Sequence, residues 1–204
     1  MEIISIVSII TETVAIVISA FVVFFFLIQK QETPIDKNIF KMVCLTIAVL
    51  FCDILCYWYR GESSQLAYFM VRLGNFFLYL VNYLIFICYG KALNLAMNPE
   101  SPLQKRLLQA VYVMTCLSIG LLVVSQFTGI LYSFDETNHY YRGRLYYLAQ
   151  VAPICGGVIY FAIIIANRRK ISKNVLLGFS VYLILPLLAT VYQTFFFGYP
   201  AQTV

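Results

Sequence analysis

Three ionisable side chains, Glu12, Asp53 and Arg72, sit well inside long apolar runs of the chain. A charge in such a setting is costly unless it faces a protein interior or a wet cavity, so each marks an ion pair, a proton relay or the anchor of a ligand. A buried Arg requires a carboxylate or an anionic ligand, and Arg72 is expected to pair with Asp53 or with Glu12; the sequence does not choose between the two acids. From Arg72 the residues Asn75, Tyr79, Asn82 and Phe86 follow at spacings of 3, 4, 3 and 4, one stripe of a helix. Ser8, Glu12, Ala15 and Ser19 form a similar small and polar stripe. Tyr57 accompanies Asp53, and Gln150, Tyr182 and Gln193 add polar groups to two later apolar runs. Of these, Glu12, Asp53, Tyr57, Arg72, Asn75, Tyr79, Asn82, Gln150, Tyr182 and Gln193 are the candidate lining of one pocket. Hydrogen bonds between helices and a single buried salt bridge would account for the same residues without a ligand.

Several chemistries lack the residues they require. A retinal Schiff base needs a lysine in mid-membrane, whereas Lys41 and Lys91 fall near helix ends. Cys52 and Cys56 beside Asp53, with the sole histidine His139 in a loop, make a poor metal site. No nucleophile, base and orienting residue occur as a set, so this chain is expected to be non-catalytic, without metal or cofactor. The six cysteines all lie within apolar runs and read as small buried hydrophobes, not as a disulfide framework.

The elements that position the polar residues follow from composition. Of 204 residues 62% are hydrophobic and 11% charged, which excludes an ordinary soluble domain and makes nucleic acid an unsuitable partner. About 20 apolar residues make a spanning helix. Charge-poor runs predict six, over about 3–28, 39–60, 66–95, 106–128, 145–167 and 174–197. The expected fold class is all-α, a polytopic helical bundle, because ten-residue alternating segments of a barrel are lacking. No Lys or Arg precedes Lys30 and the first apolar run is long, so helix 1 is expected to be a span and not a cleaved leader. Pro153 with Gly156 and Gly157, and Pro186, fall inside helices 5 and 6, where kinks often face a cavity.

Ten of the fourteen Lys and Arg, among them Lys37, Lys105 and Arg169, cluster after helices 1, 3 and 5. That bias predicts an N-terminus outside and a multi-pass protein of the cell membrane. Glu12, Asp53 and Arg72 then lie at similar depth below the outer surface. The 4–5 connection, 129–144, has turn formers Asp135-Glu136-Thr137-Asn138 between aromatic arms and reads as an extracellular β-hairpin. As a lid it would place Asp135, His139 or Arg142 above the pocket; its tyrosines equally suit an interfacial belt.

The run Tyr132-Ser133-Phe134-Asp135-Glu136-Thr137-Asn138-His139-Tyr140-Tyr141-Arg142-Gly143, followed by Tyr146-Tyr147, resembles the outer-loop pattern of bacterial multi-span sensor modules. Those modules precede a GGDEF diguanylate cyclase or a histidine kinase. The resemblance covers most of the chain in hydropathy and this loop in motif. It implies a seven-helix, N-out sensor of the bacterial plasma membrane whose last helix leads to a cytoplasmic catalytic domain, and it implies a homodimer. The 204 residues hold six spans and no GGDEF-type sequence, so helix 7 and the output domain would lie outside this chain. The expectation is a sensor that binds a small extracellular ligand within the lipid bilayer. The alternatives are a small-solute or proton-coupled transporter, with Glu12 or Asp53 as coupling acid, and a structural subunit.

Overall fold

The computed structural model describes residues 3–29 and 33–195, with side chains among them from 5 to 191. Lys30, the Gln193 side chain and the tail from Gly198 lie outside the described residues. The helices are α1 (Ile3–Ile28), α2 (Pro34–Trp58), α3 (Gln65–Met97), α4 (Pro102–Thr128), α5 (Tyr146–Asn167) and α6 (Lys173–Phe195). Strands β1 (Tyr132–Phe134) and β2 (Tyr140–Arg142) lie between α4 and α5 and pair antiparallel, Ser133 opposite Tyr141. All six helices are long and apolar enough to cross a membrane. Short connections make successive helices antiparallel, which gives the bundle a hairpin end and a basic end.

Two helices start earlier than the charge-free runs predict. Thr33 caps α2: its Oγ1 accepts the Asp36 amide at 3.1 Å, and the Asp36 carboxylate accepts the Thr33 amide at 3.2 Å. Pro34 then occupies the first turn, where its missing N–H leaves no helical bond unmade. Pro102 opens α4 in the same way after Ser101. Thr33-Pro34 and Ser101-Pro102 read as loop punctuation in the sequence, although each is equally a helix start.

Packing centres on α3, which lies against α2, α4 and α5. α1 packs along α2, burying Ser5, Ser8 and Glu12 and exposing Val7, Ile10, Val14, Phe21 and Phe24. That exposed apolar face suits lipid. On α3, Leu66, Leu73, Phe77 and Leu84 form another exposed stripe. α6 packs chiefly on α5, and its Tyr182 side chain reaches Thr46 of α2. Two buried clusters fill the bundle. The one toward the basic end includes Tyr89, Leu93, Val111, Tyr160 and Phe179. The other, toward the hairpin end, includes Tyr79, Tyr83, Leu122, Leu131, Tyr132 and Tyr146.

Close approach of α3 and α5 depends on Gly156, where an added Cβ would lie 2.8 Å from the Phe86 ring and 2.9 Å from Val111. Gly120 on α4 meets nothing within 4 Å. Thermal unfolding in detergent should therefore separate the two: Gly156→Ala loses about 1–3 kcal/mol by overpacking, whereas Gly120→Ala is neutral or gains up to about 1 kcal/mol through helix propensity. Equal effects would show that the two glycines do not differ in packing.

Candidate functional site

Between α2, α3, α5 and α6 lies a cavity of about 490 Å³, within the range of sites for small organic molecules. Five of the sequence-predicted residues line it: Asp53, Tyr79, Asn82, Gln150 and Tyr182. Leu78 and Tyr89, both on its wall, are separated by about 16 Å at the rise of an α-helix. The cavity thus runs from the hairpin half of the bundle toward its middle. Thr46, Tyr83, Tyr89 and Thr190 are wall residues that the sequence reading passed over. Helical periodicity held the signal for three of them. Tyr89 continues the α3 stripe three residues past Phe86, Thr46 lies seven residues before Asp53, and Thr190 lies four after Pro186.

Both helix-interior prolines, Pro153 and Pro186, lie on this wall. Pro153 has no N–H to offer the carbonyl four residues earlier. That carbonyl, of Ala149, instead accepts the Tyr83 hydroxyl at 2.9 Å. The broken step in α5 is therefore tied to α3 by a tyrosine that also lines the cavity. Deeper in, Tyr182 stacks on Tyr89 with ring centroids 5.9 Å apart, and the Tyr89 hydroxyl donates to the Phe179 carbonyl at 2.8 Å. Among the described residues Asn82 bonds its own helix, its amide nitrogen donating to Leu78 O at 2.8 Å, and it is exposed on the cavity wall.

Behind the wall, the Glu12 carboxyl meets that of Asp53 across the α1–α2 contact. Glu12 is 1% exposed and Asp53 5%. Neither Glu12 oxygen makes a hydrogen bond of acceptable geometry to any described residue.

The expected pairing of Arg72 with one of these acids is not what the structure holds. Its Nη1 donates to Asn138 Oδ1 at 2.7 Å and to the Tyr68 carbonyl at 3.2 Å. Its guanidinium lies 3.5 Å from the Tyr68 ring centroid and 5.0 Å from that of Phe134. Side chains on a helix lean toward its N-terminus, and for α3 that direction leads to the hairpin. A neutral amide and two aromatic faces replace the carboxylate. Asn75 likewise turns from the cavity: its amide donates to Val71 O at 2.8 Å and to Cys56 Sγ at 3.2 Å. Tyr57 is buried on α2 away from the wall.

The three hairpin residues predicted to overhang the pocket are used in the hairpin and do not line the cavity. Asp135 Oδ1 accepts the His139 amide at 2.8 Å and the Thr137 amide at 2.9 Å. The His139 amide above all, with Thr137 and Tyr141, holds the Asp135 carboxyl below the usual carboxylate range. His139 Nδ1 lies 2.8 Å from Thr137 Oγ1, and the Arg142 guanidinium covers the Tyr146 ring at 4.2 Å. Asn138 is the link to the bundle. It is 2% exposed, has a left-handed φ of 59°, and donates from Nδ2 to Glu62 O at 2.6 Å. Tyr132 and Tyr140 anchor the strands: Tyr132 stacks on Tyr79 at 5.3 Å, and the Tyr140 and Tyr79 hydroxyls are 2.8 Å apart. Burial pushes both hydroxyls of the strand tyrosines up, that of Tyr132 to about 12, so both stay protonated and available as donors.

Chemically, the wall offers one carboxyl, two carboxamides, hydroxyls and aromatic rings, a set suited to reversible binding. Among the described residues no three His, Cys, Asp or Glu side chains gather as a metal site. Replacing Asn138 should loosen the hairpin in two steps. Asn138→Gly keeps the backbone conformation but loses both bonds, about 1.5–3 kcal/mol where one partner is charged. Asn138→Ala adds about 1–2 kcal/mol of left-handed strain. Amide exchange over 132–142 should rank wild type slowest and Ala fastest; equal exchange in all three would contradict the latch. No family model, curated protein or solved structure matches the chain.

Proposed function

We propose that the chain is the ligand-sensing transmembrane module of a bacterial signalling protein, with the cavity between α2, α3, α5 and α6 as its binding site. The observation that carries this reading is the coincidence of a cavity of about 490 Å³ with Pro153 and Pro186 on its wall. A small molecule there touches the two helices whose hydrogen-bond ladders are interrupted. A ligand that prefers one packing of α5 and α6 shifts the population toward it, and about 5.5 kcal/mol of differential affinity moves a two-state element from 1:99 to 99:1. The positive-inside bias supports an orientation with the basic end in the cytoplasm and the hairpin outside. The ligand then arrives from the extracellular side, and a following helix carries the shift to a cytoplasmic output domain beyond this chain. Pairing of two copies would suit a cyclase or kinase output.

A proton-coupled transporter is the second reading, favoured by the meeting of Glu12 and Asp53 with no basic side chain on the cavity wall among the described residues. Native mass spectrometry of the purified chain tests occupancy. A small-molecule adduct is expected in the wild type and should vanish in Ala189→Trp, which fills the cavity from α6. An adduct that persists in the variant places binding elsewhere. Uptake of solute or protons into proteoliposomes that requires Glu12 would replace the sensor reading with the transporter.

A further inference from the structure

The cavity is polarised in chemistry as well as in depth. Asp53 is its only ionisable side chain apart from tyrosine hydroxyls, and no Lys, Arg or His lies on the wall among the described residues. Behind Asp53 stands a second acid, Glu12, which is 1% exposed and whose carboxyl faces that of Asp53. The nearby cation Arg72 is engaged by Asn138 and the Tyr68 ring and leaves the acids alone. Two facing carboxyls in an apolar bundle avoid repulsion either by holding a proton between them or by taking up a cation. Much of the remaining wall is apolar and aromatic, with Leu50, Ile85, Phe86 and Leu183, and with the stacked rings of Tyr89 and Tyr182 at its inner part.

We infer that the cavity selects an amphiphilic organic cation, an amine whose ammonium meets Asp53 and whose apolar or aromatic body extends toward Tyr89 and Tyr182. This rests on the cavity being a ligand site, as proposed above, and adds the class of ligand. The carboxyl of Asp53 supplies the counter-charge, Glu12 adds a second acidic group behind it, and tyrosine faces offer further attraction to a desolvated ammonium. Asn82 and Gln150 provide carboxamide oxygens suited to the remaining ammonium hydrogens. An anionic ligand finds no cation on this wall. A bare metal ion finds too few ligands, since no three acidic, His or Cys groups gather among the described residues.

Three probes of one skeleton test this in the purified chain: 4-phenylbutylamine, 4-phenylbutanol and 5-phenylpentanoate, followed by thermal shift and by equilibrium binding at neutral pH. The amine should bind at least tenfold more tightly than the alcohol, and the carboxylate weakest. Asp53→Asn should erase the preference for the amine while leaving alcohol binding in place. The comparison of probes in the unaltered protein stands even where the variant does not fold. Equal binding of amine and alcohol, or tightest binding of the carboxylate, overturns the cation inference; if that binding is still lost in Ala189→Trp, the cavity remains the ligand site. Absence of any binding, with Ala189→Trp changing nothing, overturns both.

Discussion

A carboxyl group inside an apolar bundle must find a partner charge, a hydrogen bond or water, and this constraint organises the interior of the chain. Glu12 and Asp53 meet where α1 packs on α2, and neither takes a basic partner among the described residues. The remedy is spatial. α6 packs chiefly on α5, and Asp53 lies on the wall of the cavity between α2, α3, α5 and α6. Polar side chains of α2, α3, α5 and α6 converge there because each would otherwise face lipid. The same rule explains Tyr83, whose hydroxyl takes the Ala149 carbonyl that Pro153 leaves unbonded.

The hairpin engages Arg72, the cation that the sequence expects to neutralise these acids. Asn138 receives Arg72 and at the same time binds the α2–α3 loop through Glu62 O. Tyr132 and Tyr140 fix the strands on Tyr79, itself a wall residue. A single helix face of α3 therefore contacts the hairpin at Arg72 and Tyr79 and the cavity at Tyr79, Asn82 and Phe86. The hairpin and the cavity thus share one helix, and Tyr79 touches both.

Much of this was legible in the sequence. Six spans follow from the charge-poor runs, and the α3 stripe of period 3 and 4 marks the face that meets the cavity. The internal prolines pointed to the same place, since a freed carbonyl needs a neighbour or a void. Helix starts were less legible, because Thr33-Pro34 and Ser101-Pro102 have the composition of a loop and the chemistry of an N-terminus. The partner of Arg72 was not legible at all. It lies 66 residues away, and formal charge favoured an acid over an amide whose position depends on the turn of the hairpin. For Thr46 and Thr190 the signal is their helical spacing from Asp53 and Pro186, which tells only once the faces of those two residues are assigned.

Water access to the cavity wall is the most direct test of this account. In a chain with its six cysteines replaced, single cysteines at Asn82, Thr190 and Leu84 would be challenged with a charged, membrane-impermeant thiol reagent. Asn82 and Thr190 line the cavity, whereas Leu84 belongs to the exposed apolar stripe on α3. The account predicts that Asn82→Cys and Thr190→Cys react from the hairpin side and Leu84→Cys does not. Failure of both wall positions to react, or equal reaction at Leu84, would contradict a water-accessible cavity around Asp53.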